Sequence, residues 1–167
     1  MEQAALEWVA RHAPQHASSA LATQLWSTYL DEWAVAIRYI PGVQELVAAL
    51  SSQYRLGIVT NTHHAPLIHK HLHAMGIAPY MQVVITSVEY GKPKPHAGIF
   101  EVALDQLGCR AASTLFVGDS YTADYLGAKG AGMQARLIDP AGANNVPAHE
   151  VIQSVLDLKT HITENVS

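Results

Sequence analysis

At 167 residues, 49% of them hydrophobic and 14% charged, the chain can bury the core of one ordinary globular domain plus a small appendage. A formal net charge of -4 and a pI near 6.2 argue against nucleic acid and anionic membrane as partners, since both need clustered Lys and Arg. No apolar stretch approaches the ~18 residues of a spanning helix, and the single Cys109 cannot form an internal disulfide, so a reducing cytoplasm is the simplest expected location.

In chain order, Leu6, Trp8 and Val9, then Leu21, Leu25, Trp26, Tyr29, Leu30 and Trp33, recur at helical spacing. They predict two helices before residue 38 with no strand between them, and Ser18 or Ser19 is a suitable N-cap for the second. After Ile40-Pro41-Gly42 an amphipathic helix through Val43, Leu46, Val47 and Leu50 leads to an apolar strand, Leu56 to Val59. A regular alternation follows: helix Ala65 to Met75, strand Val83 to Thr86, helix His96 to Leu107, strand Leu115 to Val117, helix Ala123 to Ala131 and strand Ala135 to Ile138. Gly142-Ala143-Asn144-Asn145 is a loose loop before a final helix expected from about Ala148. Strands this short, apolar on both faces and separated by helices, predict an α/β chain whose parallel sheet is covered on both sides.

In such a sheet the ligand crevice lies at the carboxyl ends of the strands. The first strand ends in Thr60-Asn61, the second leads to Gly91-Lys92-Pro93-Lys94-Pro95, and the third ends in Gly118-Asp119-Ser120. A hydroxyl, an ammonium and a carboxylate converging there suit a phosphate with a bound cation. Taken singly, each has a plainer reading: a strand-end Thr as a backbone cap, a Lys beside Pro as a solvated charge, Gly-Asp-Ser as a turn.

These residues, together with Leu56-Gly57-Ile58-Val59, Ile99-Phe100, Leu115-Phe116-Val117, Asp124, Gly127-Ala128 and Ala131-Gly132-Met133, resemble the haloacid dehalogenase-like hydrolases over roughly residues 38 to 140. The resemblance implies a Rossmann-like three-layer parallel sheet for residues 39–167, preceded by a remnant of a helical cap in residues 1–38. It implies that Thr60 hydrogen-bonds the transferring phosphoryl group with Asn61 beside it, and that Lys92 stabilises negative charge there. Lys94 is expected to face solvent, Asp119 to bind Mg2+, and Asp124 to support the metal or the lysine; Ser120 is expected to cap the following helix. Gly118-Asp119-Ser120 with Asp124 looks like the Mg2+-dependent phosphatase branch rather than the dehalogenases, so hydrolysis of a small phosphorylated metabolite through an aspartyl-phosphate is the implied reaction.

Members of that family open with a strand ending in Asp-x-Asp, whose first Asp is the nucleophile. Here Asp occurs at 31, 105, 119, 124, 139 and 157, and no two are separated by a single residue. The first core strand is therefore expected to be missing, and the chain to be inactive alone. Its loss would expose two strand edges, so the strands ending at Thr60 and Gly118 are expected either to pair directly or to recruit a strand from another copy. The rival reading is a non-catalytic protein whose pocket binds phosphate or a partner. His63, His64, His69, His71 and His73 are read as a solvated polar face, although His69 and His73 lie one helical turn apart. Cys109 lacks an identifiable base, and Trp26, Tyr29 and Trp33 are expected to join cap and core.

Overall fold

The computed structural model describes residues 2–14 and 18–163, with the side chains of 2–4, 33, 34, 36 and 161–163 outside that description. The chain forms two compact units, Met1–Ile40 and Pro41–Ser167. The first holds α1 (Glu2–His12) and α2 (Ser19–Ala36). Ser18 caps α2 by accepting the Leu21 N–H at 3.2 Å. Val9 and Ala22 are fully buried, while Trp8 stacks on His12 and Trp26 on Tyr29. The side chain of Trp33, expected to join cap and core, lies outside the described residues.

The second unit contains α3 (Val43–Ser51), β1 (Gly57–Thr60), α4 (Ala65–Ala74), β2 (Val83–Thr86), α5 (Ser87–Tyr90), α6 (Ala97–Leu107) and β3 (Leu115–Gly118). A π-helical turn, Tyr121–Leu126, then runs into α7 (Gly127–Gly130), followed by β4 (Gln134–Ile138), β5 (Val151–Ile152) and α8 (Leu158–Thr163). All strand pairings are parallel. β1 pairs with β2, Thr60 opposite Thr86, and β4 lies between β3 and β5, with Leu137 opposite both Gly118 and Val151.

β1 and β3 do not pair, so the strands form two separate sheets rather than one. Direct pairing of these two strands was one of two outcomes expected from the sequence, and it does not occur. The reason lies in α6: its Ile99, Phe100, Ala103 and Leu104 share one core with Val83 and Ile85 of β2 and with Ala135 and Leu137 of β4. Phe100 also packs edge-on against Phe116 of β3, ring centroids 5.2 Å apart. One helix thus holds both half-sheets, and sliding β3 against β1 would give up burial worth several kcal/mol, at about 1.5–3 kcal/mol per large apolar side chain.

The final helix expected from Ala148 is instead a 3-10 turn, Ala148–Glu150, followed by β5 and a second turn, Val155–Asp157. β-Branched Val151 and Ile152 extend the sheet on β4. Helical structure restarts only at Ser154, where Ser154 and Asp157 form a reciprocal capping box.

Candidate functional site

The carboxyl ends of β1 and β3 are joined by one lysine. Asn61, one residue beyond β1, accepts the Lys94 N–H at 2.8 Å and donates its amide to the Lys94 carbonyl at 3.1 Å. From that anchored backbone the Lys94 side chain returns toward β1, donates to the Val59 carbonyl at 2.7 Å and meets Asp124 Oδ1 at 2.6 Å. Its ammonium lies 5.2 Å from the centroid of the Phe116 ring. The two side chains are 10% and 6% exposed. The expectation that Lys94 faces solvent is therefore overturned: a buried ammonium is tolerated because a carboxylate and a carbonyl take the place of water.

Lys92, which was expected to occupy that place, is exposed, and its Nζ lies 3.3 Å from His96 Nε2. Asn61 was expected to bind phosphate; both ends of its amide are used on the Lys94 backbone. Thr60 closes β1, half-buried, with its register partner Thr86 fully buried.

Asp124 sits in the π-helical turn, buried, its Oδ2 accepting the Ser120 N–H at 3.0 Å. Ser120 caps that turn by accepting the Ala123 N–H at 3.1 Å. A side chain at residue 118 would collide with this arrangement, since a Cβ on Gly118 would lie 2.4 Å from Asp124 Oδ2. Glycine at 118 is thus what lets the carboxylate lie against the strand end and face Lys94. Asp124 thus meets Lys94 with one oxygen and accepts the Ser120 N–H with the other.

Asp119 is exposed at the end of β3. Magnesium takes about six oxygen ligands, commonly one or two carboxylates with water and substrate phosphate. Asp119 fits that chemistry as one carboxylate of a shell completed from elsewhere. Among the described residues, no group of three or more His, Cys, Asp or Glu is placed to hold a metal.

Two further carboxylates, neither singled out by the sequence, are held by hydrogen bonds apart from this pair. Asp139, just beyond β4, is buried and held below the usual carboxylate range by the backbone N–H groups of Ala143 and Asn144 and by the Asn144 side chain. It closes the 139–144 loop; an Asp followed by Pro-Ala-Gly-Ala-Asn is the turn signal that could have revealed it. Glu150 accepts from the Tyr125 hydroxyl and pairs with Lys129 at 2.5 Å. Hydrogen bonds from Lys129 and then Tyr125 lower its pKa, while the Glu150 bond, followed by burial, pushes the Tyr125 phenol up to about 12.

His69 and His73 line a shallow groove of about 410 Å³ with Leu72, Pro79 and Met81, beside the start of β2 and not at the strand ends. Cys109 is half-buried, its Sγ 3.6 Å from the Leu107 carbonyl.

A profile of the family described as haloacid dehalogenase-like hydrolase matches residues 5–138. Ribulose-1,5-bisphosphate 5-phosphatase of Halopiger xanaduensis is 33% identical over 123 residues, which are 73% of this chain and 49% of that protein. The solved 2-haloacid dehalogenase of Pseudomonas syringae superposes with a TM-score of 0.74 at 24% identity, over 87% of this chain and 62% of that one. The HAD-hydrolase YfnB of Bacillus subtilis, bound to magnesium, superposes at 0.67 and 21% identity, over 97% of this chain and 80% of its own. At such identities the structures speak to the fold, a Rossmann-like arrangement of parallel strands and helices. The chain spans about half the length of the first relatives it matches in sequence, 49%, 50% and 55%.

Proposed function

The chain belongs to the haloacid dehalogenase-like hydrolase family, and on that premise we propose that it provides the phosphate- and Mg2+-binding part of a phosphatase acting on a small phosphorylated metabolite. The carrying observation is the buried Lys94–Asp124 pair, which ties the end of β1 to the turn after β3; Thr60 closes β1 and exposed Asp119 follows β3 directly.

In this reading Lys94, not Lys92, neutralises charge on the phosphoryl oxygens, and Asp124 keeps its ammonium at the strand ends. Thr60 donates its hydroxyl to a phosphoryl oxygen, and Asp119 holds the metal. Magnesium, when bound, screens the negative charge that otherwise repels an attacking carboxylate. The nucleophile comes from an Asp-x-Asp segment absent from this sequence, so the chain alone does not turn over. A phosphorylated sugar is a reasonable substrate class, given the phosphatase relative.

The test is Mg2+-dependent release of phosphate from p-nitrophenyl phosphate, by this chain and by a form extended with an Asp-x-Asp strand. We expect hydrolysis from the extended form only, lost in Lys94→Met and retained in Lys92→Ala. Hydrolysis that depends on Lys92 and ignores Lys94 would reverse the lysine assignment. An extended form that binds inorganic phosphate without turnover would favour a non-catalytic binding protein.

A further inference from the structure

We propose that Asn61 is a positioning residue, which sets where the Lys94 ammonium stands by clamping the backbone of residue 94 to the end of β1. The proposal rests on the reading of Lys94 as the phosphate-facing lysine, and its own evidence is geometric. Asn61 engages both peptide groups of Lys94, accepting from the N–H at 2.8 Å and donating to the carbonyl at 3.1 Å, across 33 residues of sequence.

The segment offers few alternatives to this clamp. Pro93 and Pro95 flank Lys94, and proline has no N–H, so the Lys94 N–H is the one backbone donor between them. An amide side chain meets that donor and the neighbouring carbonyl together; a carboxylate meets only the donor, and a hydroxyl spans less. The side chain of Lys94 then returns to the Val59 carbonyl, two residues before Asn61. Lys94 is therefore tied to the same strand end by its backbone and by its ammonium, and only the backbone tie is independent of the charge. Lys92, one proline away and without such a clamp, is exposed.

Asn61 is itself exposed and belongs to no core cluster, so replacing it removes the clamp without opening a cavity. This separates positioning from simple structural support. In the present chain, the rate at which each lysine is acylated by an amine-reactive ester, resolved by peptide mass spectrometry, reports where Lys94 stands. We expect Lys94 to react more slowly than Lys92, and Asn61→Ala to speed Lys94 several-fold while leaving Lys92 and Lys129 unchanged. Asn61→Asp, which keeps the acceptor and loses the donor, should fall between. Hydrogen exchange at the Lys94 amide should accelerate in Asn61→Ala and stay slow in Asn61→Asp. In the extended form, Asn61→Ala should lower kcat by up to roughly 10²-fold, the scale of an ångström-sized misplacement, with KM little changed.

If Asn61→Ala does not fold, Asn61→Ser, whose hydroxyl is too short to reach both groups, takes its place with both readouts expected to rise. Unchanged Lys94 labelling and amide exchange in whichever of these two variants melts like the parent would overturn the proposal. Neither readout needs turnover, so failure of the hydrolysis test leaves the clamp standing. Failure of the clamp alongside Lys94-dependent hydrolysis removes Asn61 alone.

Discussion

Two ammonium–carboxylate pairs involve one short helical segment, residues 121–130, and they carry different loads. Asp124 looks toward the strand ends, to Lys94; its neighbour Tyr125, and Lys129 one turn later, look to Glu150. The Lys94–Asp124 side chains are 10% and 6% exposed, those of Lys129 and Glu150 38% and 14%. Water screens the second pair, which is worth up to about 1 kcal/mol, and barely reaches the first, where an unpartnered charge would be stranded. The same pair of functional groups acts as a brace on one side and as a buried charge centre on the other.

The sharpest way to break that contrast is Asp124→Ala. It leaves the Lys94 ammonium buried with only the Val59 carbonyl and should cost about 3–5 kcal/mol in urea unfolding, against about 1 kcal/mol for Glu150→Gln. Equal losses would erase the distinction. Next comes Gly118→Ala, whose Cβ would lie 2.4 Å from Asp124; overpacking should cost about 1–3 kcal/mol and expose Lys94 to acylation.

The Glu150 side is better read by pH. The phenol of Tyr125 is raised from 10.0 to about 12, so the folded state holds this proton more tightly than the unfolded one. Its contribution is complete below pH 10.0 and disappears as pH rises toward about 12. Glu150 and Asp139 are lowered, so their contributions are complete above the unfolded values, 4.5 and 3.8, and are lost as pH falls through and below them. Urea midpoints measured across pH should therefore fall at both extremes, with Tyr125→Phe flattening the alkaline limb and, through the lost hydrogen bond to Glu150, shallowing the acid limb in part. The smallest effect is expected for Lys92→Ala, within about 0.5 kcal/mol, because Lys92 is exposed.

Much of this was legible in the residues. Val83–Thr86 forms the strand that its apolar run predicts, β3 and β4 each gain one residue at one end, and β1 is displaced by one residue at both ends. Apolar periodicity reports burial, and burial on both faces is what a parallel strand under helices requires. The two lysines of Gly-Lys-Pro-Lys-Pro were not distinguishable in this way. They lie two residues apart in a stretch without helical period, with the same charge and similar neighbours. What separates them is Asn61, 33 residues upstream, together with a carboxylate 30 positions downstream. The tail misled for a related reason: Val151 and Ile152 read as part of a helix until β4 offers them an edge.

The sequence by itself determined the order of strands and helices and the polar residues that end each strand, because both follow from local chemistry and a period of a few residues. Only the tertiary structure decided which lysine turns inward, that Asp124 serves that lysine, and that β1 and β3 stand apart in separate sheets. Those outcomes depend on contacts between distant segments, above all α6 packing under both half-sheets, and no local pattern carries that information.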